Sequence, residues 1–515
     1  MTRSKEEKNI PYSVFRTPYL YQIVSGVLLA LCYPNANIGF LAWIALIPLL
    51  ASMDHAQSRS QALGFGLITG LVFFGLSLHW LTHVATVGWM LAVAYQSLFI
   101  MVFAWLGYLG MRTRKSVAFK IFWIALAWTV TEFARSEMPV FGFGWNMLAY
   151  SQSSYLPLIQ SVNVIGSYGL GFLIAFVNAA VMYAWFHRKD LRRLPVLFLV
   201  VVSVLAGLWG YGKQTLAQPL QPKEYLRVSV LQGNIPQSVK WEVMAKDKIL
   251  EIYEKLAQLA ALEQPDLILW PEAAFPGYFN RDLQAERISI AASETQTAFL
   301  VGGLHWVSET ELYNSAYFLH KDGTFGQRYD KLKLVPFGEY IPFKSVLGWL
   351  TPVADAFGIS DFSHGTVPVV FRWAREEWPF GVLICFEDIF ADLARDLADR
   401  GANFLVVLTN DAWFGKTGAP YQHLQASAFR AVENGVAVVR AANTGISAFV
   451  SHQGRVFGTV KDKRGDETFV MGQKTLDLPL VAERTLYRQG GFLFPYVAIA
   501  FFLILAVFLK EGRKT

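Results

Sequence analysis

The chain has 515 residues, 54% of them hydrophobic, 15% aromatic and only 16% charged, with a formal net charge of +6. That is too apolar for an ordinary soluble protein and long enough for two or more domains. The positive balance sits largely in short basic loops between apolar runs, which suits anionic lipid headgroups; no nucleic-acid motif accompanies it, and no nucleic-acid partner is expected.

A membrane-spanning helix needs about 20 apolar residues. Seven runs approach that length before residue 213: 19–34, 38–53, 62–83, 88–111, 117–135, 157–186 and 194–212. The first two are short and are open to being tilted, interfacial, or a hairpin around Pro34. An eighth run, 492–509, precedes a short tail at 510–515. Basic residues cluster before the first run (Arg3, Lys5, Lys8, Arg16) and after the second (Arg59), the fourth (Arg112, Arg114, Lys115) and the sixth (Arg188, Lys189, Arg192, Arg193). They return at the end of the chain (Lys510, Arg513, Lys514). The loops 34–37, 83–87 and 136–156 contain no lysine or arginine. This alternation follows the positive-inside rule, so the N-terminus is expected in the cytoplasm and the polar part outside. The expected organisation is a seven-span membrane domain over 1–212, a linker over 213–226, an extracytoplasmic domain over 227–485 and an eighth span. No good small-residue cleavage site follows the first run. Cys32 reads as a small apolar residue, because Leu31 stands where a lipidation box wants a small one.

Between 227 and 485 short β-rich runs alternate with amphipathic helices. "RVSVLQGNI" (227–235), "LILWPE" (267–272), "AFLVGGLHW" (298–306), "VPVVFRW" (367–373) and "FLVVLTN" (404–410) read as strands. Ile249, Ile252, Leu256 and Leu259 recur at helical spacing, and further helices are expected near 389–399 and 419–434. Hairpins turn at Asp322-Gly323 and Gln453-Gly454. The pattern is that of a layered α/β domain.

Three stretches of this domain combine residues suited to catalysis. Glu272 ends an apolar run behind Trp270 and Pro271; a poorly solvated carboxylate there is a usable general base, although a surface loop acid is equally compatible. Lys331 and Lys333 share one face if "RYDKLKLVPFGEYIP" is extended, and a lysine held near a thiol favours the thiolate. Cys385 follows the run Val382-Leu383-Ile384 and precedes Glu387 and Asp388, an unusual setting for a core cysteine. A nucleophilic thiol needs a base and a cation, which Glu272 and Lys331 would supply if the fold unites them.

Together "LWPE" (269–272), "YDKLKLVPFGE" (329–339), "CFED" (385–388) and "TNDAWFG" (409–415) resemble the Glu-Lys-Cys signatures of the nitrilase superfamily. With apolar spans on both sides, nearly the whole chain resembles the bacterial apolipoprotein N-acyltransferase family. "TEFARS" (131–136), "FGWNMLAYSQ" (143–152) and "IPQSVKWE" (235–242) add to that likeness. The resemblance implies an αββα sandwich over about 225–485 beside a polytopic helical membrane domain. It implies Glu272 as general base, Lys331 as oxyanion stabiliser and Cys385 as nucleophile. Glu339 and Glu387 would be supporting acids that orient the lysine and the site, and Trp241 a substrate-contacting aromatic. The acids beside Cys385 would pair with lysine rather than point at the thiol. Phe386 stands where the family commonly has tyrosine.

The implied reaction moves an acyl chain from a phospholipid to the amine of a diacylglyceryl-cysteine apolipoprotein through a cysteine thioester, without metal or cofactor. The implied setting is a bacterial inner membrane, with the catalytic domain periplasmic and the protein a monomer. An amide or nitrile hydrolase using the same three residues is the alternative enzyme, and a catalytically silent transporter or scaffold the alternative class. Residues 340–366, with Phe343, Leu347, Trp349, Leu350 and Phe357, are expected to form either a membrane-touching lid or ordinary packing. His79 and His83 have i, i+4 spacing but no evident third metal ligand. Glu132 and Arg135, near the outer end of the fifth run, are either functional or an interfacial ion pair.

Overall fold

The computed structural model describes residues 19–186, 194–219, 222–240, 242–347, 361–372, 378–481 and 483–511. Apolar helices come first: α1 (Leu20–Leu31), α2 (Ile47–His55), α3 (Arg59–Ser77), α4 (Thr86–Met111), α5 (Val117–Glu137), α6 (Val162–Phe186) and α7 (Leu194–Ala217). Ser58 and Ser116 cap α3 and α5 by accepting the N–H groups of Gln61 and Phe119. Among the described residues five helices, α3 to α7, are long and apolar enough to cross a bilayer. The expected first, second and eighth spans coincide with shorter apolar helices at Leu20–Leu31, Gly39–His55 and Gly491–Val507. The 38–53 run is divided between a 3-10 turn at Gly39–Trp43 and α2, which carries proline in its first turn. The 12 residues of α1 reach about 18 Å, short of a hydrocarbon core of roughly 30 Å.

The polar part is built on two six-stranded sheets. The first contains β1 (Glu224–Gln232), β2 (Leu267–Leu269), β3 (Ala298–Ser308), β4 (Glu311–Leu319) and β5 (Phe325–Asp330). The second contains β6 (Val370–Phe371), β7 (Phe380–Ile384), β8 (Phe404–Thr409), β9 (Ala437–Ala442), β10 (Ala448–Val450) and β11 (Val456–Thr459). β12 (Gly472–Leu480) returns to the first sheet beside β1, giving the orders β12-β1-β2-β3-β4-β5 and β11-β10-β9-β8-β7-β6. In each sheet the central strands run parallel: β1-β2-β3 and β7-β8-β9. β7 and β8 are buried at every residue, which is why they read as unbroken apolar runs rather than alternating ones.

One face of each sheet meets the other sheet through Val228, Leu269, Phe318, Val382, Val406 and Val439. On the outer face of the first sheet, α8 (Lys246–Ala261) and α9 (Ala285–Thr295) bury Leu250, Tyr253 and Ile288 against Ile268, Trp270 and Phe299. On the second, α10 (Ala391–Asp399) and α11 (Ala419–Asn434) cover Leu383, Leu405 and Val407. The other side of this helix layer is not wet. Its apolar core continues through Phe429 into Tyr150, Leu148 and Trp145 of the N-terminal apolar helical part. The chain ends in α12 (Phe494–Glu511).

Candidate active site

The sequence-derived site residues lie just beyond the carboxyl ends of strands from both sheets. Glu272 follows β2, Lys331 follows β5 and Cys385 follows β7. The Trp270–Ala273 segment presses so close to β3 that a Cβ on Gly302 would lie 2.2 Å from the Pro271 carbonyl oxygen. Only glycine permits that approach. Cys385 has φ +53°, a left-handed conformation uncommon for a residue with a side chain, and it opens a 3-10 turn over Cys385–Ile389.

Glu272 and Lys331 are buried, and with Glu339 they form one hydrogen-bonded cluster. The Lys331 Nζ donates to Glu339 Oε1 at 2.8 Å and to Glu272 Oε1 at 3.4 Å. Asn314, on β4, donates its amide to both carboxylates, at 2.8 Å to Glu272 and 3.2 Å to Glu339. The remaining oxygens accept backbone groups: Glu272 Oε2 takes the Asn410 N–H at 2.9 Å, and Glu339 Oε2 the Val335 N–H at 2.8 Å. Burial opposes the Lys331 charge, but Glu339, then Glu272 and Cys385, outweigh it and hold the pKa above the usual lysine range. Cys385 borders the cluster closely enough to feel both Glu272 and Lys331. Burial, then the Glu272 carboxylate, push its thiol well above the ordinary range, against the opposing pull of Lys331 and a hydrogen bond to Thr409. Lys331 thus favours the thiolate, as a lysine held near a thiol should, but burial and the Glu272 carboxylate outweigh it.

The acids after Cys385 turn away from the sulfur, but their partners differ from those expected. Glu387 is fully buried and pairs with no lysine side chain. Its Oε1 accepts the Tyr329 hydroxyl at 2.8 Å and the N–H groups of Leu332 and Lys333 at 2.6 and 3.0 Å; Oε2 accepts the Ile384 N–H at 2.7 Å. It ties the backbone beyond Lys331 to the strand that carries Cys385. Burial pushes its pKa up to about 7, with the Ile384 N–H, Lys331, the Lys333 N–H and the Tyr329 hydroxyl working in the other direction. Asp388 pairs with Arg440 at 2.7 Å and with His423 Nε2 at 2.9 Å, and accepts the Ser427 hydroxyl at 2.5 Å. The second nitrogen of His423 lies 3.1 Å from Asp411, and Nε2 also lies 3.2 Å from the Cys385 carbonyl oxygen. Burial lowers the His423 pKa and Arg440 opposes its charge, but Asp388 and Asp411 prevail and carry it up to about 9.

Sequence reasoning assigned no role to Lys240, Asn314, Asn410, Asp411, His423 or Arg440. Lys240 is buried and donates to the Glu272 carbonyl oxygen at 3.2 Å; burial brings its pKa down to about 8, against Glu272 and Cys385. The available signal was position: Asn410 and Asp411 follow an apolar strand directly, as Glu272 and Cys385 do. Trp241 lies outside the described residues, as do residues 348–360 of the expected lid, including Trp349, Leu350 and Phe357. Phe343 is exposed, its ring centroid 6.0 Å from that of Phe141. His79 and His83 lie in a 3-10 turn, which removes the α-helical i, i+4 register assumed for a metal pair. Among the described residues, no three His, Cys, Asp or Glu side chains converge as metal ligands.

Two family models match this chain. "Apolipoprotein N-acyltransferase N-terminal domain" covers residues 25–180, and "Carbon-nitrogen hydrolase" covers residues 227–484. A relative in Geobacter metallireducens, named apolipoprotein N-acyltransferase, is 37% identical over 86% of this chain and 87% of its own length. One of the same name in Chlorobaculum tepidum is 28% identical over 96% of this chain and 97% of its own. The chain belongs to the apolipoprotein N-acyltransferase family. Among solved structures, an amidase from Nesterenkonia sp. is 20% identical, with a TM-score of 0.38, over 52% of this chain and 94% of that one.

As an acyltransferase of this family, the protein joins its catalytic domain to an apolar helical region through a dense polar knot. Gln422, on α11, accepts the indole N–H groups of Trp80 and Trp145 at 3.1 and 2.8 Å. Its amide donates to the carbonyls of Pro34 and Ser77 at 2.7 and 3.1 Å. Arg135 donates to the carbonyls of Phe143 and Trp145, both at 2.9 Å, while Glu132 accepts the Leu148 N–H at 2.7 Å. These two ionisable residues thus fasten the loop after α5. Phe143 in that loop stacks on Phe386, with centroids 6.1 Å apart, so the residue beside Cys385 packs as a ring against the membrane part.

Proposed function

We propose that the protein transfers a fatty acyl chain from a phospholipid to the N-terminal amine of a diacylglyceryl-cysteine apolipoprotein, with Cys385 carrying the chain as a thioester. The observation that supports this most is the hydrogen-bonded Glu272–Lys331–Glu339 cluster bordering Cys385. It pairs a base with a fixed cation beside a thiol that needs one to take its proton.

In the first half-reaction Glu272 takes the thiol proton as the sulfur attacks the ester carbonyl carbon. Lys331 and backbone N–H groups stabilise the oxyanion. The carbon–oxygen bond then breaks, and Glu272 returns the proton to the departing lysophospholipid alkoxide. In the second half, the acceptor amine attacks the thioester and gives a proton to Glu272. The carbon–sulfur bond breaks, and Cys385 regains its proton. Glu339 and Glu387 act as supporting acids: Glu339 orients Lys331, and Glu387 fixes the backbone on either side. Trp241 contacts substrate.

The basic loops and the three shorter apolar helices support an eight-span reading, with a membrane domain over 1–212, a linker over 213–226, a periplasmic catalytic domain over 227–485 and a span at 492–509 in a bacterial inner membrane. In this reading the enzyme is a monomer.

Intact-mass spectrometry after incubation with phospholipid tests the proposal. The expected result is a hydroxylamine-labile acyl adduct on Cys385, absent from Cys385→Ala. An unmodified Cys385 with full apolipoprotein acylation would overturn it.

A further inference from the structure

A second cavity, of about 280 Å³, lies where α5, α6 and the start of α12 meet α10. None of Glu272, Lys331 or Cys385 lines it. Its walls include Phe133, Tyr168, Tyr487 and Tyr496, and its charged groups are Glu137, Asp392 and Arg395. Gly166 helps to shape it: the φ of +66° breaks the helical path of α6, and a Cβ there would meet the Tyr487 ring at 2.7 Å.

The charges in this cavity do not neutralise one another. Arg395 lays its guanidinium over the Phe492 ring, 3.9 Å from the centroid. Its nearest carboxylate, Asp399, is 4.0 Å away and is held more closely by Arg488, at 2.9 Å. Glu137 accepts the Tyr168 hydroxyl at 2.8 Å. Among the described residues no ion pair within 4.0 Å involves Glu137 or Asp392. A cation and two carboxylates therefore share one aromatic-walled space without pairing, an arrangement complementary to a molecule with both charges. Tyrosine and phenylalanine faces favour an ammonium, and a guanidinium favours a phosphate. The cavity also sits where the apolar helices meet the catalytic domain, and the flank of α12 beyond it, with Val497, Phe501 and Ile504, is exposed.

We propose that this cavity binds the headgroup of a zwitterionic phospholipid, with phosphate on Arg395, ammonium between Glu137 and Asp392, and acyl chains along the exposed flank of α12. It is a lipid site separate from the reacting centre. It rests on the helices lying in a bilayer and not on the thioester chemistry.

The test uses the full chain in nanodiscs of phosphatidylglycerol, with phosphatidylethanolamine carrying a photoreactive acyl chain as probe. Light-dependent label is expected in peptides spanning residues 491–504. Unlabelled phosphatidylethanolamine is expected to compete at least about tenfold better than phosphatidylglycerol, which has the phosphate without the ammonium. Arg395→Gln and Glu137→Gln are each expected to cut the label about tenfold, at an unchanged melting temperature. Equal competition by the two lipids overturns the site, leaving only annular contact with the helix. So does label that survives both substitutions. If a variant fails to fold, the competition on the unsubstituted chain still decides. Light-independent acylation of Cys385, read in the same sample, reports the proposed reaction separately.

Discussion

Lys331 lies closer to Glu339 than to Glu272, at 2.8 Å against 3.4 Å. One carboxylate therefore holds the ammonium more closely, and the Oε2 of the other, which takes only the Asn410 N–H, is the oxygen suited to the proposed proton transfer. Glu339→Gln is expected to slow acyl-adduct formation about 10- to 100-fold while the protein still folds, because the amide can still accept from lysine. Lys331→Met strands the buried Glu272 and the partly buried Glu339, and breaking a buried pairing costs about 3–5 kcal/mol. It is expected to lower both activity and melting temperature. Stopped incubations read by intact mass, with a thermal melt of each variant, check both outcomes.

Glu387 is expected to be as sensitive as the reacting groups, although it touches no substrate. Glu387→Ala leaves the Tyr329 hydroxyl and three backbone N–H groups without their acceptor, and each buried orphan costs about 1–3 kcal/mol. Glu387→Gln replaces one accepting oxygen with a donor that faces other donors. The expected order of melting temperatures is wild type, then Gln, then Ala. A variant that melts like wild type and acylates normally would contradict this role.

His423 links stability to alkaline pH. Its folded pKa, about 9, lies above the ordinary histidine value of 6.5, because Asp388 and Asp411 overcome burial and Arg440. The folded state thus binds the proton more tightly than the unfolded state. This contribution is fully present below about pH 6.5 and is lost as pH rises through about 9; it is on the order of 3 kcal/mol. Melting temperature is expected to fall across that window in the wild type. In His423→Gln the fall should flatten. An identical pH profile in the two proteins would show that the imidazolium is not responsible.

Gln422 is the test of the seam between the two parts. Gln422→Leu removes an acceptor from two indoles and a donor from two carbonyls. The expected result is a loss of about 2–4 kcal/mol, seen as a lower melting temperature, with a partial loss of acyl transfer because Phe143 and Phe386 lose their support. Thermal unfolding of the two proteins side by side, with an acyl-transfer assay of each, checks both outcomes.

Much of the polar domain was legible because its strands are short apolar runs ended by chemistry-bearing residues. Cys385, Glu272 and Asn410 each stand just beyond such a run. The helix over 419–434 was legible too, yet His423, Gln425 and Arg430 within it are buried polar residues, and periodicity cannot say what buries them. Their partners include Tyr150 and Ser153 between α5 and α6, Ser167 on α6, and the Cys385 turn, all distant in sequence. The partners of Glu387 were misjudged for the same reason: the resemblance implied a lysine partner, whereas the fold supplies the Tyr329 hydroxyl and the backbone N–H groups of Leu332, Lys333 and Ile384. Hydropathy counts eight apolar runs, whereas helix length alone supports five spans among the described residues. Residues 38–53 are apolar throughout, but the backbone breaks between Trp43 and Ile47.

The helix layer of α10 and α11 shares one apolar core with the lipid-facing half of the molecule. Such a catalytic head is not a cargo hung from an anchor. Severed near residue 220, it would bare Phe429, Val432 and Leu393 to water and lose the floor beneath the strand that leads to Cys385. Truncated, anchor-free versions are thus expected to clump rather than work, and any useful reagent must keep the whole chain.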